Sequence, residues 1–370
     1  MLRPRSEACF SATLKHPPSA TGRAPGPGLR RKVSNIAAFL VRLWVQHHAA
    51  LKHPRATATA PTPHQPQSTP RKPPPTKRLQ PRPARISGGM EFGWHKPAAE
   101  VFVPSGIGRR EALQRTTHLA IGAHPDDLEI MCWDGILAAF RKEDQWFTGV
   151  TVTNGSGSPR GETYADFSDQ EMVEVRLREQ RAAAMVGEYS AQVSLMYSSA
   201  EVRENKRVEF VEDLVKLLES TTPEVLYTHN LVDKHRTHIA IATCVVEAAR
   251  RVGHRPKKFL GCEVWRGLDW IPDSRKVVMD VSAHSGLTHS LVGLYDSQIT
   301  GGKRYELATG GRKRANATFF DAYQSDSVTH LEYALDMLPL LDDPSLSFRD
   351  YVRSYLDHFQ NDIYQALDQY

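Results

Sequence analysis

The sequence predicts an α/β protein in which a mostly parallel, doubly wound sheet carries helices on both faces, behind an N-terminal leader of irregular structure. Three observations carry this reading. Short β-compatible runs alternate with longer runs of helical period from residue 117 to about residue 251. Two of those runs, 117–123 and 223–230, break into turns rich in His and Asp. The composition also changes abruptly near Gly88-Gly89-Met90. Strands alternating with helices form parallel sheets with right-handed crossovers, which gather the carboxyl ends of the strands at one edge.

The leader comes first in the chain. Its 89 residues hold 16 Lys and Arg against the single acid Glu7, a net of +15, and 15 of the 24 prolines. The remainder has 31 basic against 41 acidic residues, a net of −10, so the basic pI describes the leader and gives no support to nucleic-acid binding by the rest. Such a segment buries too little apolar surface to offset its ordering entropy, and disorder is expected over 1–89. It is read as an Arg-rich targeting peptide, a basic tail, or sequence upstream of a true start at Met90. Within it, 33–51 has an amphipathic helical pattern interrupted by Arg42 and His47-His48, and no run reaches the ~20 apolar residues of a membrane span. Cys9, Cys132, Cys244 and Cys262 form no CxxC and no framework, which favours a reducing, cytoplasmic setting. The folded unit is expected over 90–370.

The first strand is expected at 117–123 (THLAIGA), and a helix follows through Leu128, Ile130, Met131, Ile136, Leu137 and Phe140, with Asp126 or Asp127 near its N-cap. Residues 146–153 (WFTGVTVT) predict a second strand, and 154–161 (NGSGSPRG) a loop lining a polar site, since it lacks the spacing and the Lys of a phosphate loop. A charged helix over 169–187 is expected to end at Gly187. A strand at 192–198, a helix at 205–218, a strand at 223–230 and a helix at 233–251 complete the alternation. Segments 257–266 and 276–282 read as strands. The tail from Thr288 reads as helices packing around the sheet, with 301–304 and 310–314 as two basic loops.

His124-Pro125-Asp126-Asp127 offers an imidazole and two carboxylates at the end of the first strand. His124 and Asp127 stand at i, i+3, so one tight turn can aim both at a zinc ion, and Asp126 between them can take a proton from water. The alternative is that the two acids only cap a helix. The turn after 223–230 adds His235 and His238, also at i, i+3 and sharing one face of a helix start. On two equivalent edges of one sheet the two turns make a metal-site constellation.

These residues resemble the PIG-L/LmbE-like family of zinc-dependent N-acetylglucosaminyl deacetylases over about 115–300. The matching motifs are Ala123-His124-Pro125-Asp126-Asp127 with Glu129, then Arg176-x-x-Glu179 ahead of Gly187. Last comes Tyr227-Thr228-His229-Asn230 leading to His235-x-x-His238. The resemblance implies a Rossmann-like sheet, zinc held by His124, Asp127 and His238, Asp126 as general base, and His235 as oxyanion stabiliser or acid. Two departures bear on substrate choice. Met131-Cys132-Trp133-Asp134-Gly135 stands where many members have a Gly-rich turn. Arg236-Thr237 replaces the Pro-Asp that many place between the two histidines, leaving Asp233 to orient His235. Arg176 and His284 are candidate sugar contacts, as is 295–298 (YDSQ).

The implied reaction is removal of the N-acetyl group from a GlcNAc-type amino sugar or glycoconjugate. An amidase acting on a larger amide conjugate and a non-catalytic sugar-binding protein are the alternatives. The expected cofactor is Zn2+, with another divalent ion such as Fe2+ as the alternative, because N/O ligand sets discriminate poorly between them. The expected partner is a small N-acetylated sugar, with no nucleic acid and no membrane span, and a homo-oligomer left open.

Overall fold

The computed structural model describes residues 92–370, so the leader 1–89, its amphipathic stretch 33–51 and the boundary at Met90 lie outside the described residues. The described strands form one sheet: β1 (Glu100–Phe102), β2 (His118–Gly122), β3 (Phe147–Thr153), β4 (Ala191–Tyr197), β5 (Val225–His229), β6 (Lys258–Cys262), β7 (Val277–Asp280) and β8 (Leu331–Asp336). Their spatial order is β1-β4-β3-β2-β5-β6-β8-β7. The central β4-β3-β2-β5-β6 pairings are parallel, while β1, β8 and β7 join antiparallel at the two sides. The strand order therefore reverses between β2 and β5. This is a Rossmann-like α/β sheet, and its switch point is where open α/β sheets leave a crevice for ligands.

The helices are α1 (Arg109–Gln114), α2 (Asp127–Met131), α3 (Trp133–Ala139), α4 (Asp169–Val186), α5 (Arg207–Thr221), α6 (Arg236–Val252), α7 (Ser285–Gly293), α8 (Asp296–Ile299), α9 (Tyr305–Thr318), α10 (Pro339–Asp342) and α11 (Phe348–Leu367). Successive strand residues feed opposite faces, as a period of two requires. Leu119 and Ile121 of β2 join α5, α6 and α11 in one core, whereas Ala120 joins α2, α3 and α4 in the other. Every residue of β3 is buried, which is why its sequence reads as a near-continuous apolar and β-branched run. Among the described residues no helix is long and apolar enough to cross a membrane.

Three expectations need correction. The helix predicted from Asp127 to Phe140 is two helices, broken at Cys132 (φ −127°, ψ 39°). The break is stabilised from a distance: Glu332 of β8 accepts the Trp133 and Asp134 backbone N–H groups, each at 3.0 Å, capping α3. Residues 310–314 are no loop but the middle of α9, where Gly310 leaves room for the His289 ring. Gly187 ends α4 as expected, in a right-handed conformation (φ −81°). It is required because any Cβ there would collide with the Tyr189 ring, whose hydroxyl donates to buried Glu129 at 2.8 Å. Finally, β8 is a strand in a tail that was expected to be helical.

Candidate metal and catalytic site

The turn after β2 is folded tightly onto itself. A Cβ on Gly122 would lie 3.2 Å from the Asp127 Cβ, so the small residue lets the chain double back. Asp126 then takes a left-handed conformation (φ 94°, ψ −25°), which costs a non-glycine residue roughly 1–3 kcal/mol and persists only where surroundings impose it. Those surroundings are specific. Asp127 Oδ2 accepts the His124 backbone N–H at 2.7 Å, and Gln298 Nε2 donates to the Pro125 carbonyl at 2.9 Å.

The turn after β5 is held by its own polar side chains. Asn230 donates to Cys262 O at 2.7 Å and accepts from Val232 N at 3.0 Å. Asp233 accepts from His235 N at 2.8 Å and from Trp265 N at 3.1 Å. His235 thereby becomes the N-cap residue of α6, and His238 falls in its first turn. The Asp233 carboxylate stands 3.6 Å from His238 Nδ1, so the acid faces His238 and not, as the sequence suggested, the His235 ring.

Across the switch point the two turns meet. His124 Nδ1, Asp127 Oδ2 and His238 Nε2 form a triangle with sides of 3.1, 3.2 and 3.4 Å. Ligands at ~2.1 Å around a tetrahedral ion stand about 3.4 Å apart, so this donor set of two imidazole nitrogens and one carboxylate oxygen fits a single divalent cation. Among the described residues, two overlapping groups of side chains are close enough to hold an ion, His124 with His235 and His238, and Asp127 with His229 and His238. His229 fits less well. Its Nε2 accepts the Ala123 N–H at 2.8 Å, which occupies the lone pair. Its fully buried ring stacks on His238 with centroids 3.8 Å apart, so it packs behind the triangle.

Burial and charge separate the two acids. Burial, followed by the negative charge of Asp127, pushes the Asp126 carboxyl well above the usual carboxylate range. Burial acts on Asp127 in the same sense, but His238, His229 and the hydrogen bond from His124 outweigh it and hold that carboxyl well below the usual range. Burial pulls the His238 imidazole down to about 4, leaving it neutral near pH 7, the form in which imidazole coordinates metals. His235 is lowered as well, by burial and by His124.

These residues open into a cavity of 420 Å³ at the carboxyl ends of the parallel strands. His124, Asp126, Asp127 and His235 line it, with the 154–159 loop on one side and Trp265, Gln298 and Tyr305 on the other. Two predicted substrate contacts lie elsewhere. Arg176 is only 1% exposed and stands behind the loop, donating to Gly155 O and to the hydroxyls of Ser158 and Ser297. Its length carries the guanidinium under the loop rather than into the cavity. His284 caps α7 in a left-handed conformation (φ 50°) with its exposed ring against Phe140, away from the cavity. Of 295–298, only Gln298 lines the cavity; Ser297 hydrogen-bonds Glu179, and Asp296 accepts from Tyr164. Trp265 and Tyr305 went unnoticed in the sequence as wall residues, because each belongs to a separate segment that only the fold brings here.

Residues 119–249 match the family model described as PIG-L: GlcNAc-PI de-N-acetylase. Over this part the chain is similar to the PIG-L family. The matched part contains both turns of the site, whereas Gln298, Tyr305 and Trp265 lie beyond it. "Uncharacterized deacetylase YaiS" of Escherichia coli (strain K12) is 24% identical over 144 residues, 38% of this chain and 72% of that protein. N,N'-diacetylchitobiose deacetylase from Pyrococcus horikoshii, solved with its inhibitor MPG, is 17% identical with a TM-score of 0.49 over 63% of this chain and 88% of that one. GalB, the 4-carboxy-2-hydroxymuconate hydratase of Pseudomonas putida KT2440, is also 17% identical, with a TM-score of 0.47 over 60% of this chain and 95% of that one.

Proposed function

We propose that this chain is a metal-dependent hydrolase that removes the N-acetyl group from a GlcNAc-type amino sugar. The observation that carries the reading is the His124–Asp127–His238 triangle, with His238 buried and His124, Asp127 and Asp126 lining one cavity. In this reading His124, Asp127 and His238 hold a zinc ion, or another divalent cation of similar ligand preference such as Fe2+. A bound divalent cation supplies Lewis acidity, polarising an amide carbonyl and making water easier to deprotonate.

The side chains do the rest. Asp126 accepts the proton of the attacking water; its raised affinity for protons suits a base that must later give the proton up. His235 lines the same cavity and donates a hydrogen bond to the oxyanion that forms at the amide carbon, a contribution of about 3–4 kcal/mol for one well-placed donor. The proton then passes to the leaving nitrogen from Asp126 or His235, and the products are acetate and a free amino sugar. Trp265 and Tyr305 give the sugar an aromatic wall and exclude water from its far side.

The test is acetate release from a panel of N-acetylated sugars, with and without chelator. Release that chelation abolishes and a divalent ion restores supports the reading; binding of the sugars without release would reduce the protein to a sugar-binding module. Release from larger amide conjugates but not from acetylated sugars would favour the amidase alternative.

A further inference from the structure

A second cavity of 250 Å³ adjoins the first, sharing Ile130, Val264, Trp265 and Tyr305 with it, and is bounded on its far side by α9 and the segment before it. Its rim carries Lys303, Arg304 and Arg312. Lys303 Nζ lies 5.3 Å from the centre of the Trp265 ring, Arg312 donates to Val264 O, and Arg304 donates to Glu306. The other charges of the lining are already committed. Lys313 pairs with Glu332 at 2.6 Å, and Glu263 accepts from Leu268 N at 2.6 Å and from Asn316 Nδ2 at 3.0 Å. Three rim cations, Arg304 also paired with Glu306 and Arg312 with a backbone carbonyl, therefore outnumber Glu263, the acid among the described lining residues, in a pocket with an aromatic wall.

We infer that this cavity binds an anionic group carried by the substrate beyond the amino sugar, a carboxylate or a phosphate seated against Trp265 and held by Lys303, Arg304 and Arg312. The inference rests on the deacetylase reading for the identity of the sugar, and not for the binding itself. Cations on flexible stems beside an indole recognise an anion by charge while the ring covers the adjoining apolar portion. A neutral sugar in the first cavity would leave the excess positive charge of this rim without an anionic partner.

The experiment compares pairs of probes on the metal-loaded full chain: the 4-carboxyphenyl against the phenyl glycoside of N-acetylglucosamine, and N-acetylglucosamine 1-phosphate against N-acetylglucosamine. Equilibrium binding is measured by calorimetry and acetate release is measured separately. The anionic member of at least one pair is expected to bind about tenfold tighter, by roughly 1.4 kcal/mol. That preference should vanish in the Lys303→Ala/Arg304→Ala double variant, whose two side chains are exposed and make few internal contacts. It should also shrink as salt is raised. The pair that discriminates identifies the anion. Equal binding within both pairs, or a preference that survives in the double variant, overturns the inference. A preference that stands while no probe releases acetate supports the anion site and overturns the deacetylase reading instead.

Discussion

His124 Nδ1 and His238 Nε2 lie 3.1 Å apart although 114 positions separate them in the chain, and the carboxylate of Asp127 closes the triangle. Three lone-pair-bearing atoms this close repel one another unless a proton or a cation sits between them. The expected outcome is one divalent ion per chain by elemental analysis of the wild type, and little or none in His238→Ala. The wild type should also gain about 2.7 kcal/mol of stability with metal at a hundred times its Kd, a gain His238→Ala should lack.

Asp126 combines an unusual backbone conformation with the role of base. Asn tolerates the left-handed region nearly as well as Asp, so Asp126→Asn should fold and keep its metal while kcat falls about 10²–10⁴-fold. Asp126→Ala should lose the same activity and also about 1–2 kcal/mol of stability from the strained φ. Near-normal kcat in Asp126→Asn would remove the proton-accepting role.

Arg176 underpins the loop over the cavity. Its guanidinium joins Gly155, Ser158 and Ser297, and Ser297 in turn donates to Glu179 at 2.6 Å. Arg176→Met should leave the Gly155 carbonyl and the Ser158 and Ser297 hydroxyls without their buried charged donor and cost about 1.5–3 kcal/mol in a denaturant titration. A loss under about 0.5 kcal/mol would place the side chain outside the fold's support.

Glu332 and Lys313 form a buried pair on which α3 also depends. Burial raises the Glu332 carboxyl above its ordinary value, with Lys313 opposing it. Glu332→Gln should cost about 3–5 kcal/mol, because the Lys313 ammonium is then buried without a counter-charge. Adding Lys313→Met should recover part of that loss. A double variant whose cost equals the sum of the two single costs would show that the pair is not coupled.

Much of the fold could be read from residue order, because parallel strands covered on both faces must be apolar and the helices between them must carry one apolar stripe. β2 to β6 and α4 to α6 follow from that rule. It fails at β8, where Glu332 points inward to cap α3 and pair with Lys313, so the apolar alternation that marks a strand is broken. It fails again at Gly310, whose low helix propensity is overridden by packing against His289. In the site, the spacings of His124 with Asp127 and of His235 with His238 were visible, because local turns set which side chains share a face. The place of His229 was not, since it depends on a hydrogen bond from Ala123, just beyond β2. The charge of Arg176 was legible and its burial was not.

The reach of β8 back to the first turn has a practical corollary for anyone trimming this polypeptide. The matched segment ends at residue 249, yet α2 and α3 are steadied by Gln298 gripping Pro125, by Lys313 donating to Ile130 O at 2.8 Å, and by Glu332. A fragment stopped at the end of α6 would keep both histidine-bearing turns while losing every one of those clasps, and a shortened version that keeps the His124–Asp127–His238 donors in register has to run at least through Asp336.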